Sequence, residues 1–572
     1  MELGLPGRRL VLKGAALTAA VLGMGTRLVN GTAAAAPAAD GVFGYGVASG
    51  DPTGDAVVIW TRATPPPIRR GAPLATPGSG LGHPLPVRWE LARDPSFRHV
   101  VRAGTVWTSP DSDHTVKVDV RGLRPYTRYH YRFHAAGQTS DVGMTRTAPD
   151  DGDRLHALRF ALVSCSNYPA GLFTAYQAIA ERADLDFVLH VGDYIYESSD
   201  AAPPGEPIEA RDLTGYRLRH ALHKADPHLR LAHLRHPWVT IFDDHEVADN
   251  AWSTGAGNHT PGTDGDFAQR RRDAYQAYLE WMPFRLPEQQ RVPHRGTRFF
   301  RGFGFGPLGD LSVLETRQNR DVQVEVPPFS GRGGGFVPLG DPAVAARLSD
   351  PGRHIMEPEQ LAWLRDRVER PGPWHLVANQ TVLAPVRFPG AAVGFPDQEL
   401  MVNSDQWDGY RADQSALLGH LGAIRSGDAV VLTGDIHSSW ASDLPGSAGV
   451  EFVCPSITSD GFYELVRGAL PAGTPTDAVL AATERLSAAV VGANPGVRYL
   501  DGIGHGFVVV DVTPERVQAD FHHTPRPSAE RPDPRTDPSV RPAVTASFQT
   551  QAGSRSVVPV DVPVGARADE PR

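Results

Sequence analysis

Between residues 41 and 148, apolar and polar positions alternate in short runs. "AVVIWTRAT", "PVRWELARD", "VVRAGTVW", "HTVKVDVRGL" and "RYHYRFHAAG" are rich in β-branched and aromatic residues and are separated by Gly, Pro or Asp turns. In the last run Tyr129, Tyr131 and Phe133 alternate with polar residues after a Leu-x-Pro-x-Thr corner, a pattern typical of fibronectin-III-like sandwiches. After the polar linker "TRTAPDDGDR" the period changes. "LRFALVS" leads into the helix-like "GLFTAYQAIAERAD" and then "LDFVLHV", a spacing that predicts parallel strands covered by helices. Further apolar strands are "WVTIFD", "DLSVLET", "WHLVAN" and "AVVLTGD", and "GFVVVDVTPERVQADFHHT" reads as a late hairpin. Residues 253–300 and 322–373 read as helical or loop insertions, with Gly/Pro-rich pieces such as "FSGRGGGFVPLGDP". The tail from Pro525 is rich in Pro, Arg and Asp, and half of it is expected to be loosely ordered.

The first residues follow another pattern. Arg8 and Arg9 precede an apolar run from Leu10 to Met24, and a small-residue stretch, "NGTAAAAPAAD", follows. This reads as an export signal of the twin-arginine type over residues 1–39. A membrane anchor is the competing reading. No Cys follows the run to carry a lipid, and no later stretch approaches a spanning helix. A secreted chain without a stable membrane anchor is expected, with the twin-arginine translocation machinery as its partner in transit. That route carries folded cargo, so a metal is expected to be loaded before export. The divisions are residues 1–39, a sandwich at 41–148, a catalytic segment at 155–524 and a tail at 525–572.

Composition narrows the function only slightly. Of the 572 residues 41% are hydrophobic, enough for a large core, and the net charge of −9 gives no basic face for nucleic acid. A monomer is expected. Cys165 and Cys454 are the only cysteines, and one disulfide between them is possible in an oxidising compartment.

Chemistry-bearing residues gather where the core strands end. "RFALVS" ends at Cys165, Ser166 and Asn167; "DFVLHVG" ends at Asp193 and Tyr196; "WVTIF" ends at Asp243, Asp244, His245 and Glu246, with Asn250 shortly after. "DLSVLET" ends at Arg317, "WHLVA" at Asn379, and "AVVLTG" at Asp435 and His437. A single strand-end Asp is ordinarily a turn former or a helix cap. Six strands doing so together place metal ligands and an arginine on one rim, where ligands bind in open α/β sheets. Thiolate, imidazole and tyrosinate point to iron for Cys165, Asp193, Tyr196 and His437, while the remaining oxygens suit a harder ion.

These motifs resemble a known family. "GDYIYE", "FDDHEVADN" and "GDIHSSW", with "SCSN", "TRQNR", "SDQWDGY" and "GHGF", look like those of the PhoD-type alkaline phosphatases, a branch of the metallophosphoesterases. The resemblance covers nearly the whole chain after the signal. It implies an α/β metallophosphoesterase-like sandwich with layered β-sheets and flanking helices, preceded by a small all-β fibronectin-III/Ig-like sandwich domain. It also implies hydrolysis of phosphomonoesters and phosphodiesters with Fe³⁺ and Ca²⁺. Iron would be held by Cys165, Asp193, Tyr196 and His437; calcium would face Asp193, with Asn250 and Asp435 as further ligands. Within "FDDHEVADN" the choice between Asn250 and Asp244 stays open, because aligning "DDHE" with the ligand motif of dinuclear relatives selects Asp244. "SCSN" stands where those relatives have Asp-x-His, which favours iron over zinc. Cys454 has no motif partner and reads as a small buried hydrophobe.

The expected mechanism is in-line attack on phosphorus by a metal-activated water. Arg317 is expected to hold a non-bridging oxygen of the phosphate ester, and His245 to protonate the leaving group, its tautomer set by Glu246 or Asp243. Asp244 completes this catalytic set, while Tyr194 and Glu197 are expected to pack and cap. The alternatives are a phospholipase-D-like or teichoic-acid phosphodiesterase and, outside the enzymes, a secreted metal-stabilised binding protein.

Overall fold

Every residue of the strand Phe187–His190 is buried because its neighbours cover both edges and other layers cover both faces. The computed structural model describes residues 41–67, 69, 73–153, 155–198, 209–285, 291–292, 296–565 and 567. The export signal expected at 1–39 lies outside them. The strand is central to a ten-stranded sheet. From one edge the order is Val558–Pro559, Ala543–Gln551, Arg516–His523, Gly506–Val512, Leu158–Val163, Phe187–His190, Pro237–Thr240, Val47–Gly50, Ala56–Arg62 and Thr115–Arg121. Leu158–Val163, Phe187–His190 and Pro237–Thr240 are mutually parallel, and the expected late hairpin pairs Gly506 with His523.

A second sheet of seven strands runs Arg301–Gly304, Gly309–Val313, Trp374–Ala378, Asp428–Thr433, Val450–Val453, Ser439–Asp443 and Val497–Asp501. Its strands Gly309–Val313, Trp374–Ala378 and Asp428–Thr433 are also mutually parallel. Side-chain alternation then sorts the core. Leu376, Ala378, Val430, Leu432 and Phe452 point inward against Phe160, Leu162 and Val508 of the first sheet. Val377, Ala429, Val431 and Val453 point outward onto Leu364, Leu417, Leu421 and Val490 of the helices Pro358–Val368, Arg411–Gly422 and Thr476–Ala493. The six strands expected to share one open sheet are thus two parallel triplets from facing sheets, and their carboxyl ends meet at a common rim.

The all-β N-terminal segment forms its own second layer. A five-stranded sheet, which includes Pro86–Ala92 and Arg128–Ala135, packs Leu91, Tyr129, Tyr131 and Phe133 on Val57, Ile59 and Val116. The backbone N–H of Arg124 donates to the Tyr129 hydroxyl at 3.0 Å, bracing the corner before that strand. The other layer is continuous with the catalytic sheet, since Ser49 and Gly50 pair in parallel with Pro237 and Trp238. Asp51, with its carboxylate buried, accepts the Arg285 N–H and the Arg301 Nη2–H, both at 2.7 Å. The tail after Pro525, half of which the sequence suggests is loose, adds Ala543–Gln551 to the ten-stranded sheet. It also buries Arg535, whose guanidinium donates to the Thr458 carbonyl and to Asp460. No helix among the described residues is long and apolar enough to cross a membrane.

Replacing Asp51 strands the Arg301 guanidinium where the N-terminal layer meets the catalytic sheets. Asp51→Ala is expected to lower unfolding free energy by about 2–4 kcal/mol, read from the urea midpoint at unchanged m-value.

Candidate metal centre

Most of the residues expected to bind metal sit in left-handed backbone. Cys165, Asp193, Asn250, Asp435 and His437 have φ of 61°, 55°, 51°, 67° and 53°. Such conformations cost about 1–3 kcal/mol each for non-glycine residues and persist only where the surroundings impose them. The surroundings are visible at Gly192, where an added Cβ would lie 2.3 Å from that of Asp243. Glu246, expected as a partner of His245, instead accepts the backbone N–H groups of Asp193 (3.1 Å), Tyr194 (2.6 Å) and Asp243 (2.7 Å). It ties together two loops that carry ligands.

One group of donors is of mixed chemistry. The ligand atoms of Cys165, Asp193 and His437 lie within 4.8 Å of one another. Tyr196 joins them: its hydroxyl donates to Asp193 Oδ2 at 3.0 Å, lies 3.2 Å from His437 Nε2, and accepts from the Ser459 hydroxyl at 2.6 Å. Burial pushes the Cys165 thiol well above its usual pKa, and the carboxylate of Asp193 pushes it further. Burial first, then Asp193, does the same to the Tyr196 phenol. Both are therefore neutral without a cation. His437 is also neutral, burial holding it down at about 4. Its Nδ1–H donates to the Asp460 carbonyl at 2.8 Å, which leaves the Nε2 lone pair facing the cluster, as a metal-ligating imidazole requires.

The second group is all oxygen. Asp243, Asp244 and Asp435 bring carboxylate atoms within 4.8 Å, and Asp193 and Asp244 form a similar group with His245. The fork of Arg317, expected to grip the substrate, is already occupied. Its Nε donates to Asp243, Nη1 to both oxygens of Asp405 (3.0 and 2.9 Å) and Nη2 to Asp435 (2.8 Å), and the side chain is 1% exposed. With Asp244 at 3.6 Å as the fourth carboxylate, every edge of this guanidinium faces an acid of the rim. Arg320 reinforces Asp405 at 2.6 Å. Both Asn250 and Asp244 stand at the site, with different parts. The Asn250 N–H donates to Asp244 Oδ2, while Asp244 Oδ1 is buried with no hydrogen-bond partner.

His245 is tuned the other way from His437. Burial alone would lower its pKa, but Glu197, Asp244 and Asp193 together hold it well above the usual histidine range. Its Nδ1–H donates to Glu197 Oε2 at 2.7 Å, and its ring lies over Tyr196 with centroids 4.1 Å apart. Glu197, fully buried, thus fixes the imidazolium, the part first given to Glu246 or Asp243. Its other oxygen accepts the Asp249 N–H and the Asn258 amide. Nε2 faces Asp249, 4.0 Å away, whose carboxyl burial and then Asp244 and Glu197 push up to about 8 against the pull of His245.

An open cleft of about 110 Å³ lies over these groups. Asp193, Asp244, His245, Asn250, Asp435 and His437 line it, with Arg332 on the glycine-rich strap. The donors fit two cations. Asp193, Asp243, Asp244, Asp405 and Asp435 outnumber Arg317 and Arg320, and burial raises the Asp193 and Asp243 carboxyls well above their usual range. Together with the orphaned Asp244 oxygen, this is the signature of a buried site completed by positive charge.

Motif reading brought Cys165, Asp193, Tyr196, Asp435, His437, Asp244, Asn250 and His245 to one rim, and the structure gathers all of them. Arg317 is there too, with its fork on Asp243, Asp405 and Asp435. Asn379 is spent accepting the Trp407 Nε1–H at 3.2 Å. Cys454 is a buried free thiol 3.3 Å from the Ser164 hydroxyl, and Cys165 is also free, so no disulfide joins them. Asp405, Glu197, Asp249 and Arg332 received no site role from the sequence. Asp405 had a signal, lying just past the strand Leu400–Asn403 inside "SDQWDGY".

Comparison with known proteins bears on this geometry. The family model of the PhoD-like phosphatases matches residues 160–521, and that of their N-terminal domain matches 30–149. Alkaline phosphatase D of Bacillus subtilis (strain 168) is 33% identical over 556 residues, covering 92% of this chain and 84% of that protein. A solved structure of PhoD is 32% identical, covers 94% of both chains and superposes with a TM-score of 0.75. The metallophosphoesterase-like architecture, the cluster of metal donors and both family models agree: the chain belongs to the PhoD-like phosphatase family.

Proposed function

We propose that this phosphatase is a secreted alkaline phosphatase that hydrolyses phosphate monoesters and diesters, works as a monomer, and carries Fe³⁺ and Ca²⁺. The observation that carries this reading is the division of one rim into a thiol–phenol–imidazole group that contains Asp193 and an all-oxygen group of Asp243, Asp244 and Asp435, with Asp193 and Asp244 meeting again around His245. Cys165, Tyr196, His437 and Asp193 would hold the iron. Asp193, Asp244, Asn250 and Asp435 would hold calcium, which accepts six to eight oxygens. When bound, the ions supply positive charge to the phosphoryl group and lower the pKa of the attacking water.

The chain's own residues supply the rest. Asp193, grouped with Cys165 and His437 and again with Asp244, would link the two sets of donors. Arg317 and Arg320 together hold the Asp405 carboxyl below its usual range, and Arg317 holds Asp243 and Asp435 in place. His245, charged and braced by Glu197, presents Nε2–H to the cleft and donates that proton to the leaving alkoxide. A closed structural site would need no cleft over its ligands, so the opening supports catalysis over a metal-stabilised binding protein. The twin-arginine signal in the first 39 residues supports export after folding.

Elemental analysis with a visible spectrum tests the metal assignment. Stoichiometric iron with a charge-transfer band, plus calcium, is expected. Tyr196→Phe and Cys165→Ser should each shift or remove the band, and Asp193→Ala should lose both metals and more than about 10³-fold of kcat. A colourless zinc or manganese protein would remove Tyr196 and Cys165 from the ligand set.

The role of Glu197 has a separate readout in the pH profile. Activity carried by a protonated His245 is present below its pKa and lost as pH rises through it. Removing the facing charge in Glu197→Gln lowers that pKa, so the alkaline limb of kcat should move down by about 1–2 pH units at unchanged metal content. An unmoved limb would take His245 out of the acid role.

A further inference from the structure

A second, apolar slot opens beside the metal centre. Phe336, Val386, Phe388, Trp440 and Phe462 wall it, and Ile436 stands at the junction. Ile436 lies between Asp435 and His437 in the chain and, like Phe336, lines the slot and the metal cleft together. The Phe336 and Phe388 rings meet edge to face at 4.9 Å on one side, and Trp440 and Phe462 do so at 6.4 Å on the other. The polar side chains on the wall are already engaged. Gln406 Oε1 accepts the Val382 N–H at 2.7 Å, Asp408 Oδ2 accepts the Val386 N–H at 2.8 Å, and Asn403 Oδ1 accepts the Asp405 N–H at 3.0 Å. The slot, about 30 Å³ beside the 110 Å³ of the metal cleft, therefore offers packing surface and few free groups for a sugar or a second phosphate.

Resting on the phosphoesterase reading above, we infer that this slot is a subsite for an apolar alcohol group of the ester, a short alkyl chain or a single aromatic ring. The commitment comes from continuity. A phosphoryl group at the metal centre carries its ester oxygen past Ile436, and the carbon attached to it enters a channel walled by aromatic and branched side chains. Burying apolar substituent there favours such esters over glycerol or sugar phosphates, whose hydroxyls would lose water without gaining partners.

The n-alkyl phosphates from methyl to hexyl test this, because their alcohols have nearly equal pKa values and intrinsic reactivity stays constant. With the metal-loaded protein, kcat/KM is expected to rise about fourfold per methylene, the factor that burial of one CH₂ corresponds to, until the slot is full. Glycerol phosphate should fall below propyl phosphate, and alkylphosphonates should inhibit in the same chain-length order. Val386→Thr, nearly isosteric, and Phe462→Ala, at a half-buried position, should each flatten the rise. Equal turnover of all chain lengths would overturn the subsite and leave the phosphoesterase intact. A rise that both variants preserve would place the apolar subsite elsewhere and overturn this assignment. No turnover of any ester by metal-loaded protein would overturn the phosphoesterase reading itself, and the subsite with it.

Discussion

Buried negative charge is the constraint around which this structure is arranged. Asp193, Asp243, Asp244, Asp405 and Asp435 meet where strands of two facing sheets end, the first four buried and Asp435 partly so. Burying a carboxylate costs several kcal/mol even after relaxation, so each must be matched by positive charge or a donor. Arg317 is the central answer within the chain. It reaches carboxylates that follow Pro237–Thr240 in one sheet and Asp428–Thr433 in the other, and so pins the two layers together at the rim. The remaining imbalance is what makes the site a place for cations.

Two histidines a few ångströms apart acquire opposite character from their acceptors. His437 gives its Nδ1 proton to a neutral carbonyl and stays uncharged, with a lone pair for a ligand. His245 gives its Nδ1 proton to the Glu197 carboxylate and stays charged, with a proton to donate. The same imidazole thus suits a ligand or an acid according to one partner. Folding carries the cost of this arrangement in left-handed backbone at Cys165, Asp193, Asn250, Asp435 and His437, imposed by close approaches such as that between Gly192 and Asp243.

The N-terminal layer and the C-terminal tail matter to the site through the sheet. Val47–Gly50 covers the edge of Pro237–Thr240, the strand that delivers Asp243 to Glu246, and would otherwise leave its backbone groups unpaired. At the far side Ala543–Gln551 extends the hairpin. Arg535 reaches back to Thr458 and Asp460, beside the Ser459 that donates to Tyr196 and the carbonyl that orients His437. The segments flanking the catalytic core thus brace the strands and loops around its ligands.

The chain itself announced the strand ends, because an apolar run that breaks into Gly-Asp or Asp-His is a local signal, independent of what lies across the fold. Cys165, Asp193, Tyr196, Asp435 and His437 were legible in this way, as was the alternation of Tyr129, Tyr131 and Phe133 on the N-terminal layer. Which side chains face one another was not. Arg317 reads as a free phosphate fork until four carboxylates distant in sequence are brought around it, and Glu197 reads as a cap until His245, on the next strand's loop, turns toward it. The tail looked loose by composition, yet its strand pairs with Arg516–His523 through backbone bonds that composition does not encode. Sequence determined the donors and the strands that carry them, since both are local properties. Charge pairing, tautomers and the contact between Asp244 and the Asn250 N–H were decided only when tertiary packing set the distances between them, because electrostatic interactions depend on separation and burial rather than on residue type.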